Sequence, residues 1–203
     1  TGLISSNKAI FFLLILLLCS FVILIQFNSY AITVGCLSLL LVVPYPLMKR
    51  ITWWPQAWLG LTFNWGVLLG WAVINADITI AALLLYASGF FWTLAYDTIY
   101  AHQDINSDEV AGIKSTAILF GTKSLYWVIL FFTCSIVLLG CTGLYTGISW
   151  PFFIGLSAAT LHVVWQLKTI NLDNSDNCLK IFKSNNFLGL LIFLNILIGK
   201  IIA

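Results

Sequence analysis

The chain has 203 residues, of which 61% are hydrophobic and only 8% charged, with a net charge of +2. Soluble domains are about half apolar and about a quarter charged, so this composition excludes a water-soluble globule. The small charge, with no continuous basic patch, also argues against a nucleic-acid partner.

Apolar runs long enough to cross a bilayer recur along the chain. They predict seven spans, at about Ala9–Gln26, Tyr30–Leu47, Ala57–Asn75, Ile78–Tyr96, Leu125–Tyr145, Trp150–Gln166 and Phe187–Ala203. None alternates with a period of two, which disfavours a transmembrane barrel. Helices satisfy their own backbone in lipid, so the expected fold is all-α, a multi-pass transmembrane helical bundle forming one domain over 1–203. Asn64 and Asn75 are expected to bond between helices, and Gly66, Gly70 and Gly89 to allow close helix approach. His162 is expected to bond a neighbouring helix, and Asn185 or Asn186 to cap the last span. The five cysteines show no CxxC spacing and are expected to be free thiols packed as small hydrophobes.

Charge alternates between the segments that join these spans. Lys8, Lys49, Arg50, Lys114, Lys123, Lys168, Lys180 and Lys183 fall on one side, and Lys200 alone on the other. The positive-inside rule puts the first side in the cytoplasm, at a bacterial inner membrane, or in the matrix if the chain is mitochondrial.

The stretch YDTIYAHQDINSDEVAGIKSTAILFG, Tyr96–Gly121, lies on that basic side and holds four acids. If the fourth span continues as a helix beyond the membrane, Asp97, Asp104 and Asp108 fall at i, i+7 and i+11, on one face beside Tyr100. Hard oxygen ligands, few and near a boundary, suit Mg²⁺ carrying a phosphorylated ligand, with Asp104 and Asp108 as the clamp. Solvated linker acids would give the same spacing. Against that, Asp97 sits at the end of an apolar span, where an acid is costly, and tyrosines flank it. Lys49, Arg50 and Lys114 supply the complementary charge, arginine as a bidentate fork and lysine as a point charge. Each could also serve topology alone. A small transporter with Asp97 as its ion site is the rival from another class, although no inverted repeat is visible.

The segments YPLMKR, WLGLTFNWG, YDTIYAHQD, GIKSTAILFG and CLKIFKSNNFLGL together resemble the UbiA superfamily of intramembrane prenyltransferases, most closely the branch acting on 4-hydroxybenzoate. The resemblance implies nine spans around a central cavity and two aspartate motifs that hold Mg²⁺ and a polyprenyl diphosphate. It places Asp104 and Asp108 in the second motif as metal and diphosphate ligands. Asp97 and Tyr100 precede them as catalytic candidates, and Arg50 and Lys114 contact the anionic substrates. It also implies the activity: a polyprenyl group passes to the ring of 4-hydroxybenzoate, ortho to its hydroxyl. Menaquinone, haem and chlorophyll types are the alternatives within the superfamily. Asn106 and Ser107 stand where relatives often carry further aspartates. The first aspartate motif is absent and the chain starts at Thr1, so the expectation is an N-terminally truncated sequence that is inactive by itself.

Overall fold

The computed structural model describes residues 4–202, with the backbone alone for Asn106, and is helical throughout, with no strand among these residues. Helix α1 (Ser6–Leu24) is apolar on all sides and buries no residue, as suits a helix surrounded by lipid. The second span is broken into α2 (Ser29–Leu37), α3 (Leu39–Val42), a 3₁₀ turn at Tyr45–Leu47 and α4 (Met48–Ile51). Pro44 and Pro46 explain the last break, because proline lacks the N–H a helix needs and its ring clashes with the preceding turn. The turn delivers Lys49 and Arg50 to the membrane face.

The third span is α5 (Pro55–Phe63) and α6 (Trp65–Asn75), jointed at Asn64. Asn64 Nδ2 donates to the Gly60 carbonyl and to Thr93 Oγ1 of α7 (Ile80–Ala101), both at 2.8 Å. A Cβ on Gly89 would strike the Asn64 carboxamide, so the glycine admits this cross-helix bond. Gly66 and Gly70 are different: nothing lies where their Cβ would stand, and the expected close approach is not made there. Asn75 bonds the Trp71 carbonyl of its own helix rather than a neighbour.

Beyond α7 come the short α8 (Ile105–Val110) and α9 (Thr116–Phe120), then α10 (Ser124–Thr146), α11 (Pro151–Thr169) and α12 (Ser175–Ile201). α7 is the hub, packed on α5, α6, α10 and α12. Its Leu94, Ala95 and Ile99 are buried with Val128, Phe132 and Ile181 in the main core. Among the described residues six segments are long and apolar enough to cross a membrane. The remaining expected span, α11, is a helix of 19 residues that includes His162, Gln166 and Lys168 and packs on α12 and α10.

Four expectations are corrected. The last helix begins at Ser175, not Phe187, because CLKIFKSNN is a helical extension whose Cys178, Ile181 and Asn185 face the core. Its cap is therefore Asn174, whose side chain accepts from Asn177 N, while Asn185 and Asn186 lie well inside the helix. His162 packs between Trp165 and Phe187 at 5.2 and 5.3 Å, and its buried Nε2 makes no bond. All five cysteines are free, as their spacing suggested, but only Cys178 is buried, while Cys19, Cys36 and Cys141 are exposed rather than packed inside.

Asn195 of α12 is buried, and its Nδ2 donates to the Phe152 carbonyl of α11 at 2.8 Å. A Cβ on Gly155 would occupy the space of that amide. Gly155→Ala and Asn195→Leu are each expected to cost about 1 kcal/mol, the worth of an interhelical bond in a membrane protein. Thermal unfolding in detergent measures it, and unchanged midpoints in both variants would contradict this packing.

Candidate active site

The site is built where α7 leaves the apolar layer. The helix does not run on through the acids as one rod, which corrects the expected single face. It ends at Ala101, and His102, Gln103 and Asp104 turn back with N–H bonds to the carbonyls three residues before them. Asp104 then heads α8, and Asp108 lies one turn further on, with its N–H on the Asp104 carbonyl at 2.8 Å. At the break the His102 imidazole lines a cavity with Leu172 and Asp173 of the α11–α12 connection, and its buried Nε2 makes no hydrogen bond among the described residues. Burial holds that imidazole below its ordinary value, opposed by the charge of Asp173 and by the nearby Leu172 backbone.

Asp104 and Asp108 remain close despite the break. Burial pushes the Asp108 carboxyl above the usual range, Lys49 opposes this, and the Asp104 charge adds to it. A cation beside Asp108 would offset both its burial and the charge that Asp104 sets against it. Among the described residues no cluster of three or more His, Cys, Asp or Glu is formed. Two carboxylates suit Mg²⁺ that keeps most of its coordination for phosphate oxygens and water. The Asn106 side chain lies outside the described residues, and Ser107 donates its hydroxyl to the Asp104 carbonyl at 2.9 Å.

The basic side is hooked onto this turn. Lys114 N donates to the Lys49 carbonyl at 2.8 Å, and its Nζ reaches the Ile51 carbonyl at 3.1 Å and sits over the Trp53 ring at 5.6 Å. The next residues are anchored in the core. Thr116 N donates to buried Gln56 Oε1 at 3.0 Å, and the Thr116 and Thr98 hydroxyls bond at 2.8 Å. Phe120 then closes edge-on against Trp54 at 5.3 Å. The YPLMKRITWWPQ and GIKSTAILF segments, far apart in sequence, are thus one structural unit around the end of α7.

The sequence-predicted residues fall unevenly within it. Asp97 is half-buried on the last turn but one of α7, with Lys49 and Tyr45 in electrostatic reach. Tyr45 in the 3₁₀ turn and Lys49 in α4 thus both face Asp97, which was not read from sequence because the proline break sets their positions. Arg50, singled out by its fork chemistry, is exposed in the same turn. Tyr100 packs its ring on Phe182 of α12 at 4.5 Å, with Tyr96 on the same ring at 5.7 Å. Lys114 is held by backbone and indole, which fixes its position beside Lys49. Gln56, Thr98 and Thr116 were also missed, and the only sequence signal was a glutamine directly after Pro55 at a membrane boundary.

Below the acids lies a cavity of about 240 Å³, lined by Phe63, Asn64, Trp92, Thr93, Tyr96, Phe182, Asn185 and Asn186. Asn185 is buried; its Oδ1 accepts from Trp92 Nε1 at 2.9 Å and its amide bonds the Ile181 carbonyl. A charged rim therefore stands over an aromatic chamber.

The UbiA prenyltransferase family matches residues 1–196. The chain is 44% identical over 201 residues to the Arabidopsis thaliana protein named 4-hydroxybenzoate polyprenyltransferase, mitochondrial, covering 98% of this chain and 49% of that one. It is 42% identical over 202 residues to the protein of the same name from Caenorhabditis elegans, covering 99% and 57%. The chain thus spans about half the length of the curated relatives it matches. Its fold is similar to the apo structure of a UbiA homolog from Aeropyrum pernix K1, with a TM-score of 0.79, 21% identity, and coverage of 99% of this chain and 74% of that one. It is also similar to the structure of a digeranylgeranylglyceryl phosphate synthase, with a TM-score of 0.73, 18% identity, and coverage of 100% and 73%.

Gln56→Leu would leave the buried Thr116 N–H without an acceptor. The expected loss is about 1–3 kcal/mol, the desolvation cost of an unpaired buried donor. Hydrogen exchange at the Thr116 amide should rise by a matching factor, and unaltered protection would show that Gln56 does not hold this segment.

Proposed function

Since the chain belongs to the UbiA prenyltransferase family, we propose that the intact protein transfers a polyprenyl group from polyprenyl diphosphate to 4-hydroxybenzoate, ortho to the hydroxyl, in ubiquinone biosynthesis. The observation that carries this is the joining of Lys49 and Lys114 to the Asp104–Asp108 turn above an aromatic chamber. Asp104 and Asp108 would hold Mg²⁺, which when bound neutralises charge on the departing diphosphate. Lys49, Arg50 and Lys114 meet the remaining phosphate charge, and such fixed charges act strongly where water is excluded. The allylic C–O bond breaks and diphosphate leaves. A C–C bond forms to the ring carbon, and the ring proton departs. Trp92, Tyr96 and Phe182 offer ring faces to the allylic cation and keep water from it. Asp97 and Tyr100 border the point where the charged rim meets the chamber.

The relatives' names include the word mitochondrial, which favours the inner mitochondrial membrane with the basic face in the matrix over a bacterial inner membrane. A transporter reading draws no support from these relatives.

In membranes containing the intact protein, Asp104→Ala and Asp108→Ala are each expected to cut Mg²⁺-dependent prenylation of 4-hydroxybenzoate at least about a hundredfold. That corresponds to several kcal/mol of lost charge stabilisation at about 1.4 kcal/mol per factor of ten. Membrane insertion should be unchanged, and near-normal turnover in both variants would refute the assignment. Arg50→Lys tests the fork separately. If Arg50 grips phosphate oxygens in bidentate fashion, the point charge of lysine should raise the KM for polyprenyl diphosphate; if it only sets topology, kinetics should be unaltered.

A further inference from the structure

We propose that the chamber beneath the acids is the acceptor-ring site, and that the Asn186 amide selects the acceptor's carboxylate. This rests on the prenyl transfer proposed above. The volume is the first argument. At about 240 Å³ the cavity is smaller than the roughly 300–1,000 Å³ of sites for drug-sized ligands, so it suits a single substituted ring and not a polyprenyl chain. Its place is the second. Thr93 stands four residues before Asp97 on α7, about 6 Å along the helix, so a ring held there lies directly under the charged rim.

The third argument is the state of the polar groups. Asn64 spends both amide hydrogens, on Gly60 and Thr93. Asn185 takes the Trp92 indole and gives its amide to Ile181 and Phe182. These two build the wall. Asn186 lines the same cavity, is exposed, and its side chain makes no hydrogen bond among the described residues. A neutral amide can donate to a carboxylate while leaving the cations of the rim to the diphosphate. A site built around such a bond discriminates against ligands that cannot complete it.

The test compares 4-hydroxybenzoate with its uncharged methyl ester as acceptors, in membranes containing the intact protein or its Asn186 variants. Asn186→Asp sets a carboxylate against the acceptor's own. The KM for 4-hydroxybenzoate should rise at least about tenfold, while those for the ester and for polyprenyl diphosphate stay within about threefold. Asn186→Gln, which keeps the amide, should restore much of the loss. Equal loss of both acceptors in Asn186→Asp, or no change in either, would overturn the assignment of Asn186 and leave the transfer reaction standing. If the wild type does not prenylate 4-hydroxybenzoate, the proposed function falls. Equilibrium binding of labelled 4-hydroxybenzoate then decides the ring site. Binding weakened by Asn186→Asp would keep it, and binding that is absent or insensitive to the substitution would overturn it.

Discussion

The arrangement depends on how the backbone between Lys114 and Thr116 is satisfied at a membrane boundary. Water is scarce there, so each buried donor needs a protein acceptor. Lys114 N finds the Lys49 carbonyl and Thr116 N finds Gln56, while the Thr116 hydroxyl closes on Thr98 of α7. Without these bonds the basic turn after the second span and the acidic turn after the fourth would be independent loops. With them, cations and carboxylates share one rim.

α7 links that rim to the chamber. Its successive turns present Trp92, Tyr96 and Tyr100 towards α12, where Asn185 fixes the indole and Phe182 receives both tyrosines. Aromatic rings therefore extend from the charged boundary into the bundle, interleaved with the amides of Asn64, Asn185 and Asn186. For chemistry that passes through a carbocation this is a suitable gradient, with charge stabilisation above and water exclusion below.

Much of this was legible in the sequence. Length and hydropathy marked the six segments long and apolar enough to cross a membrane, and the helix α11 besides, because lipid leaves the backbone few alternatives. The acid–base clustering pointed to the candidate site because so few charges exist elsewhere in the chain. The failures have common causes. Hydropathy set the start of α12 at Phe187, since it is blind to a polar helical extension whose Ile181 and Asn185 face inward. Projecting Asp97, Asp104 and Asp108 onto one helix assumed an unbroken rod, whereas the chain turns at His102–Asp104 and brings the two outer acids together by another route. Lys49 and Arg50 were read as a pair of cations, but the electrostatic reach of Lys49 to Asp97 and Asp108 was not, because its position depends on the Pro44–Pro46 turn. Gln56 and Thr116 were invisible because their importance lies in a contact between segments sixty residues apart.

The central claim is that the basic turn and the acidic turn form one diphosphate site. A double-mutant cycle between Lys49 and Asp108, read as the Mg²⁺-dependent affinity of the intact protein for polyprenyl diphosphate, addresses it directly. Groups that act on one bound ligand should couple, and the account predicts that Lys49→Met and Asp108→Asn together deviate from additivity by more than about 1 kcal/mol. Additivity within about 0.3–0.5 kcal/mol, the behaviour of independent sites, would contradict it.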